Sequence, residues 1–166
     1  MKNILFLALT LICLLSSISV SAQTPAQNKE TTLKILTAID AGDVMTFSRY
    51  VSPSVTEHMP IPPGVPGSND FEKVKNLIAG YHAAFPDSKT TVQNIVAEGD
   101  MVIVHSNWAG TNTGSFMGAP ATNKPVSIDQ VDIIRFDKTG KGVEHWAVLD
   151  QLTMLQQLGM IPTDGK

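Results

Sequence analysis

The stretch GKGVEHWAVLD, residues 140–150, places a glutamate, a histidine, a tryptophan and an aspartate in an otherwise β-type run. If the strand alternates, Glu144, Trp146, Val148 and Asp150 share one face, and His145, Ala147 and Leu149 share the other. Each face then mixes apolar with titratable groups. A dry core excludes an unpaired aspartate and a solvent face seldom selects tryptophan, so the pattern predicts that one face lines a cavity. A carboxylate at the mouth of an apolar cavity is desolvated, which raises its pKa toward the range where it takes and returns protons near neutral pH. Asp150 is thus a candidate general acid/base. It is equally suited to cap the short helix expected from Leu152 by accepting a backbone N–H, and spacing alone leaves both roles open.

Other groups can join it. Lys138-Thr139-Gly140 reads as a three-residue loop with Gly140 left-handed, which pairs Asp137 with Lys141 and brings Gln130 and Asp132 to the face of Trp146 and Asp150. A slip of one residue would send both to the other side. His58 lies where a helix gives way to a proline-rich loop, a place from which scaffolds commonly present functional groups. His82 flanks an apolar helical stripe and reads as a boundary residue. His145, opposite Asp150, reads as structural unless a bulge re-aims it. None of the four histidines is paired at two-, three- or four-residue spacing, and HExxH and CxxC motifs are lacking, so no metal is expected. A nucleophilic cysteine or GxSxG elbow is lacking outside residues 1–22.

These side chains must be held by elements that the pattern outlines. Leu33, Leu36 and Ile39 give helical spacing over residues 30–41, stopped at Gly42. Asp43 can cap a second helix carrying Val44, Phe47 and Tyr50 or Val51, broken at Pro53. HMPIPPGVPGSND, from His58 to Asp70, is an extended loop suited to a rim or lid. Asp70 can cap a third helix whose Phe71, Val74, Ile78, Tyr81 and Phe85 recur at three and four, ending at Pro86. From Thr90 the texture turns β-branched: TTVQNIVAE, MVIVHSNWAGT, VSIDQVDIIRF and GVEHWAVL read as four strands. EGD and DKTGK are hairpin turns between antiparallel neighbours. Leu152–Leu158 is a terminal helix stopped by Gly159 and Pro162. Helices first and a meandering sheet after define an α+β class.

The N-terminus belongs to no element of that fold. Lys2, the apolar run ILFLALTLICLL and the small-residue stretch SSISVSA have the order of a secretory signal peptide, with cleavage expected after Ala22. The remaining 144 residues suffice for one domain, 30–166, preceded by a flexible lead-in at 23–29. The only cysteine, Cys13, lies in the leader. Cleavage leaves 11 basic against 15 acidic residues and moves the formal charge from −3 to −4, with no basic stripe to attract nucleic acid.

Five segments, YHAAFPD (81–87), AEGDMVIV (97–104), AGTNTGSFMG (109–118), VEHWAVLD (143–150) and QQLG (156–159), resemble in order the signature segments of the SnoaL-like polyketide cyclase and ester cyclase family. The resemblance implies the nuclear-transport-factor-2-like fold, a strongly curved antiparallel sheet wrapped against helices to form a cone with one deep pocket. It implies that the aspartate at 150 acts as general acid/base in an intramolecular aldol closure without metal or cofactor, and that His58 is a pocket histidine. The chain departs from the family pattern at Asn112, where a histidine is usual, and at His105, where an arginine is common.

The reading that follows is an exported, secreted or periplasmic protein with a small apolar pocket and cofactor-free acid/base chemistry on a small carbonyl compound: cyclisation, isomerisation or dehydration. Asp150 and His58 are its catalytic candidates. Trp146, Asn112, His105, Gln130, Asp132, Tyr81 and Phe85 are its substrate-binding candidates. Two other readings share the same sequence: a non-catalytic binding protein for a small hydrophobic ligand, and an interaction module that forms a homodimer through its outer sheet face. No nucleic-acid partner is expected, and no membrane association after leader removal. The leader reading is checked by N-terminal sequencing of exported protein, which should begin at Gln23; a mature chain retaining Lys2, or lipid on Cys13, would refute it.

Overall fold

The first helix starts earlier than its apolar spacing indicates. In the computed structural model, which describes residues 23–162, α1 spans Pro25–Asp40 and takes in most of the stretch expected to be a flexible lead-in. The cause is a capping box at Thr24: its hydroxyl accepts the Gln27 backbone N–H, and the Gln27 side chain accepts the Thr24 N–H at 2.8 Å. The buried face of this first half carries Asn28, Thr31 and Thr32, which conceals it from a search for apolar stripes. Thr32 satisfies its hydroxyl locally by donating to the Asn28 carbonyl.

Helix α2 (Val44–Tyr50) is capped by Asp43, as expected, and passes directly into strand β1 (Val51–Glu57). That strand is absent from the sequence reading because Pro53 was taken only as a helix breaker. β1 lies at the sheet edge, where a missing N–H sacrifices no ladder bond. Helix α3 (Asp70–Ala84) is capped by Asn69 and not by Asp70, whose carboxylate instead accepts the Glu57 N–H at 3.1 Å and ties the helix start to the end of β1.

Strands β2 (Lys89–Glu98), β3 (Met101–Thr111), β4 (Pro125–Phe136) and β5 (Gly142–Leu149) form the expected antiparallel meander. The sheet order is β1-β5-β4-β3-β2, with β1 parallel to β5, so the five-stranded sheet is mixed and unclosed. The terminal helix α4 (Gln151–Leu158) ends at left-handed Gly159.

The β4–β5 register decides the site. At the turn it is as expected: Gly140 has φ +81° and the Asp137 N–H donates to the Lys141 carbonyl at 2.9 Å. Phe136 then faces Gly142, but Arg135 faces Glu144, so Val143 is an extra residue in a β-bulge. Beyond it Ile134 faces His145, Asp132 faces Ala147 and Gln130 faces Leu149. Gln130 and Asp132 therefore share a face with His145, and not with Trp146 as the unbulged hairpin required.

That inner face packs on the helices. Val102, Val104, Ile134 and Phe136 from the sheet meet Ile35, Phe47, Phe71 and Ile78 in one core cluster. Phe85, Trp108, Phe116, Ile128, Met154 and Leu158 form a second cluster that seats α4. Each such side chain contributes roughly 1.5–3 kcal/mol by leaving water.

The connection between β3 and β4 is organised by Asn112, fully buried. Its amide NH2 donates to the carbonyls of Ala84 and Gly114, and its side-chain oxygen accepts from the Thr122 backbone N–H at 2.8 Å and hydroxyl at 3.0 Å. Asn112→Ala strands several of these groups in the interior. It should lower stability by about 2–4 kcal/mol, seen as a reduced urea midpoint with the m-value unchanged.

Candidate active site

Between the inner sheet face and helices α1–α3 lies a cavity of about 200 Å³ with largely apolar walls. Its polar lining is concentrated on adjoining strands. Glu57 from β1, His145 from β5, and Asp132 and Gln130 from β4 form one hydrogen-bonded row. His145 Nδ1 lies 2.7 Å from Glu57 Oε2, and His145 Nε2 lies 3.2 Å from Asp132 Oδ1. Gln130 Nε2 donates to Asp132 Oδ2 at 3.2 Å, and the second Glu57 oxygen accepts the Met59 backbone N–H at 2.8 Å.

With a carboxylate at each ring nitrogen, the imidazole donates from both and is an imidazolium. Burial alone would drive its pKa down. The hydrogen bonds to Asp132 and Glu57, together with their charges, outweigh that and raise it from the ordinary 6.5 to about 9. The Glu57 side chain is only 4% exposed and Asp132 13%, so this cation is what permits two carboxylates in an apolar setting. The short bond to Glu57 marks the tighter pair, and Asp132 makes the longer contact.

Two further lining groups can bind a ligand. Gln130 has a second amide N–H and an oxygen left after its bond to Asp132. Tyr81 lies edge-on to Trp108 and Phe116, and burial raises its hydroxyl pKa, which keeps it a protonated donor. Among the described residues, no group of three His, Cys, Asp or Glu side chains is arranged to hold a metal ion.

Of the site candidates taken from sequence, Gln130, Asp132 and Tyr81 line the cavity, and so does His82, which was read as a boundary residue. Asp150 does not. It is exposed at the N-cap of α4, accepting the Thr153 N–H at 3.0 Å, and Thr153's hydroxyl and backbone N–H hold its carboxyl below the usual aspartate range. The alternative weighed against acid/base chemistry, a helix cap, is what the geometry shows.

His58 and Trp146 meet one another on the outer face. Their rings stack at 4.3 Å, His58 Nε2 contacts Glu144 Oε2 at 2.9 Å, and Arg135 binds the other Glu144 oxygen at 2.6 Å. Asn112 serves the loop described above, and Phe85 is fully buried in the second core cluster without lining the cavity. His105 lies on the outer face of β3, 3.4 Å from the Asn94 amide. His58, Asn112, Trp146 and Asp150 thus do not share a pocket.

Sequence reasoning missed Glu57 and His145 as site residues. Glu57 was hidden because β1 was not recognised. His145 was set aside as structural because the face of Asp150 was taken as the cavity face. The sole signal available was its condition that a bulge would change the argument, and the bulge at Val143 does so.

The model of the family described as SnoaL-like polyketide cyclase matches residues 30–158, and the chain belongs to that family. Among solved structures it is similar to IdmH of Streptomyces antibioticus, a proposed polyketide cyclase, at 34% identity, covering 80% of this chain and 99% of that one with a TM-score of 0.68. It is also similar to AclR of Streptomyces galilaeus, a proposed hydroxylase, at 30% identity, covering 86% and 87% with a TM-score of 0.71. TsrD of Streptomyces laurentii, at 23% identity, covering 83% and 98% with a TM-score of 0.73, shares the fold. Curated proteins offer no match.

The raised His145 pKa fixes a pH dependence. A group that binds its proton more tightly when folded stabilises fully below its unfolded pKa and loses that contribution as pH rises through the folded value. Stability should therefore fall between pH 6.5 and about 9, by up to about 3 kcal/mol. Denaturant titrations across that window should show this slope in the wild type and a much flatter one in His145→Gln.

Proposed function

We propose that this protein is an exported, cofactor-free acid/base catalyst acting on a small carbonyl compound. The carrying observation is the Glu57–His145–Asp132–Gln130 row on the wall of an apolar cavity. Asp132 accepts a proton from carbon next to the substrate carbonyl. Gln130 and Tyr81 donate hydrogen bonds to that carbonyl oxygen, where negative charge develops.

His145 is a positioning and electrostatic group. Before transfer the row carries two carboxylates and one imidazolium. After it, Asp132 is neutral, His145 and Glu57 remain a balanced pair, and the negative charge has moved to the enolate. The total buried charge is unchanged, so the step requires no new ion in a low-dielectric space. The enolate then closes on a second carbonyl whose oxygen takes the proton from Asp132, takes that proton back at another carbon, or expels a β-hydroxyl group that leaves as water with it. These outcomes are ring closure, isomerisation and dehydration.

Membership in a cyclase family and the likeness to IdmH support ring closure. The likeness to AclR is a reminder that one fold carries more than one chemistry. Export rests on the leader pattern of residues 1–22, which lie outside the described residues. A binding protein without turnover is the second reading, favoured by the apolar walls.

Exchange of carbonyl α-hydrogens in D2O separates the two. Wild type should catalyse it, and Asp132→Asn, which keeps shape but cannot carry the proton, should lose about a hundred- to ten-thousand-fold in rate with ligand affinity kept. Asp150→Asn, which still caps a helix, should retain the rate. Exchange unaffected by Asp132→Asn would remove Asp132 as the base, and binding without exchange would establish the carrier reading.

A further inference from the structure

The dimensions and charge of the cavity bear on what enters it. Resting on the acid/base reading, we infer that the substrate is an uncharged carbonyl compound of about one ring, and that both fused polycycles and anionic groups are excluded.

The first observation is size. A cavity of about 150 Å³ accommodates benzene, whereas pockets for drug-sized ligands run from about 300 to 1,000 Å³. At about 200 Å³ this one lies between the two and nearer the first. Its walls are poorly placed to yield. Ile35, Phe47, Ile78 and Ile134 line it and belong to the same close-packed core, each 3–6% exposed, so enlargement means displacing core side chains that hold helices to sheet.

The second observation is charge. Lysine and arginine are absent from the lining among the described residues. The His145 imidazolium is already shared by two carboxylates, leaving the row with an excess negative charge; the other titratable lining groups are Tyr81, Glu144 and His82, whose Nδ1 lies 3.2 Å from the Asp40 carbonyl. A carboxylate or phosphate on the ligand would add a second uncompensated anion beside Glu57 and Asp132 in a medium that solvates it poorly. A neutral carbonyl meets no such penalty, and Gln130 and Tyr81 supply its donors. The preceding step in any reaction sequence must therefore release the substrate free of a phosphate-bearing handle or ionised acid.

The probes are cyclohexanone, 2-decalone, 9-fluorenone and cyclohexanecarboxylate, titrated into the mature protein at pH 7 and followed by NMR of Ile and Val methyl groups. Cyclohexanone should bind saturably and shift the Val74 and Ile78 methyls. The two-ring ketone should bind at least about tenfold more weakly, a difference near 1.4 kcal/mol, and fluorenone and the carboxylate should not bind. Leu77→Ala, which widens the wall, should admit 2-decalone, and Val74→Phe, which narrows it, should abolish cyclohexanone binding. Fluorenone or cyclohexanecarboxylate binding as well as cyclohexanone, or no saturable binding of any probe, overturns the inference. Exchange of cyclohexanone α-hydrogens in D2O reports separately on the acid/base reading. Binding in the stated order without exchange upholds the size and charge selection and removes the chemistry, while exchange with preferred binding of the three-ring ketone does the reverse.

Discussion

Two carboxylates can stand inside an apolar cavity only because one imidazolium stands between them. Glu57, His145 and Asp132 come from three adjoining strands, β1, β5 and β4, so the ion row crosses the sheet and links its parallel edge to the meander. Removing the ring would leave two buried anions without a counter-charge. The cost of such an arrangement commonly exceeds what the intact row contributes relative to an apolar replacement. The row is thus better understood as specifying where the strands sit and which groups face the cavity than as a net source of stability.

The row depends in turn on one extra residue. In an unbulged hairpin set by the Lys138–Gly140 turn, Asp132 would pair with Trp146. Val143 shifts every later pair by one, and Asp132 meets Ala147 with His145 beside Ile134. The same alternation at the end of β1 sends Glu57 inward and His58 outward. Each face consequently holds a histidine against a carboxylate, but in different settings. Outside, His58 reaches Glu144, which Arg135 also binds, beside the stacked Trp146. Inside, His145 is half-buried between carboxylates that line a cavity.

Much of the architecture was legible because it is written in local signals. Capping residues at Asp43 and Gly159, the three-and-four spacing of Phe71 to Phe85, and the EGD and DKTGK turns each act over a few residues, and the α+β class follows from their order. The losses were non-local. β1 gains strand character by pairing with β5, ninety residues on, and Pro53 hides it. The first half of α1 buries Asn and Thr, so it lacks an apolar stripe. Within the site, Gln130 and Asp132 were found on their polarity in a strand, whereas their partners required a bulge that Val143 does not announce.

Asp132 and Asp150 show why residue type does not assign a role. Both are aspartates that flank apolar segments near the C-terminal half of the sheet. Asp150 stands in water at a helix start, where N–H donors favour its charged form and hold its pKa down, leaving it little tendency to take a proton from carbon. Asp132 stands in a cavity wall, where water cannot solvate its charge and a single shared cation must do so. In the proposed step Asp132 takes a proton while that cation stays paired with Glu57, and the displaced charge remains within its field. The proposed acid/base role needs a place for the charge given up, and of the two aspartates only the one beside His145 lines a cavity where a ligand could take it.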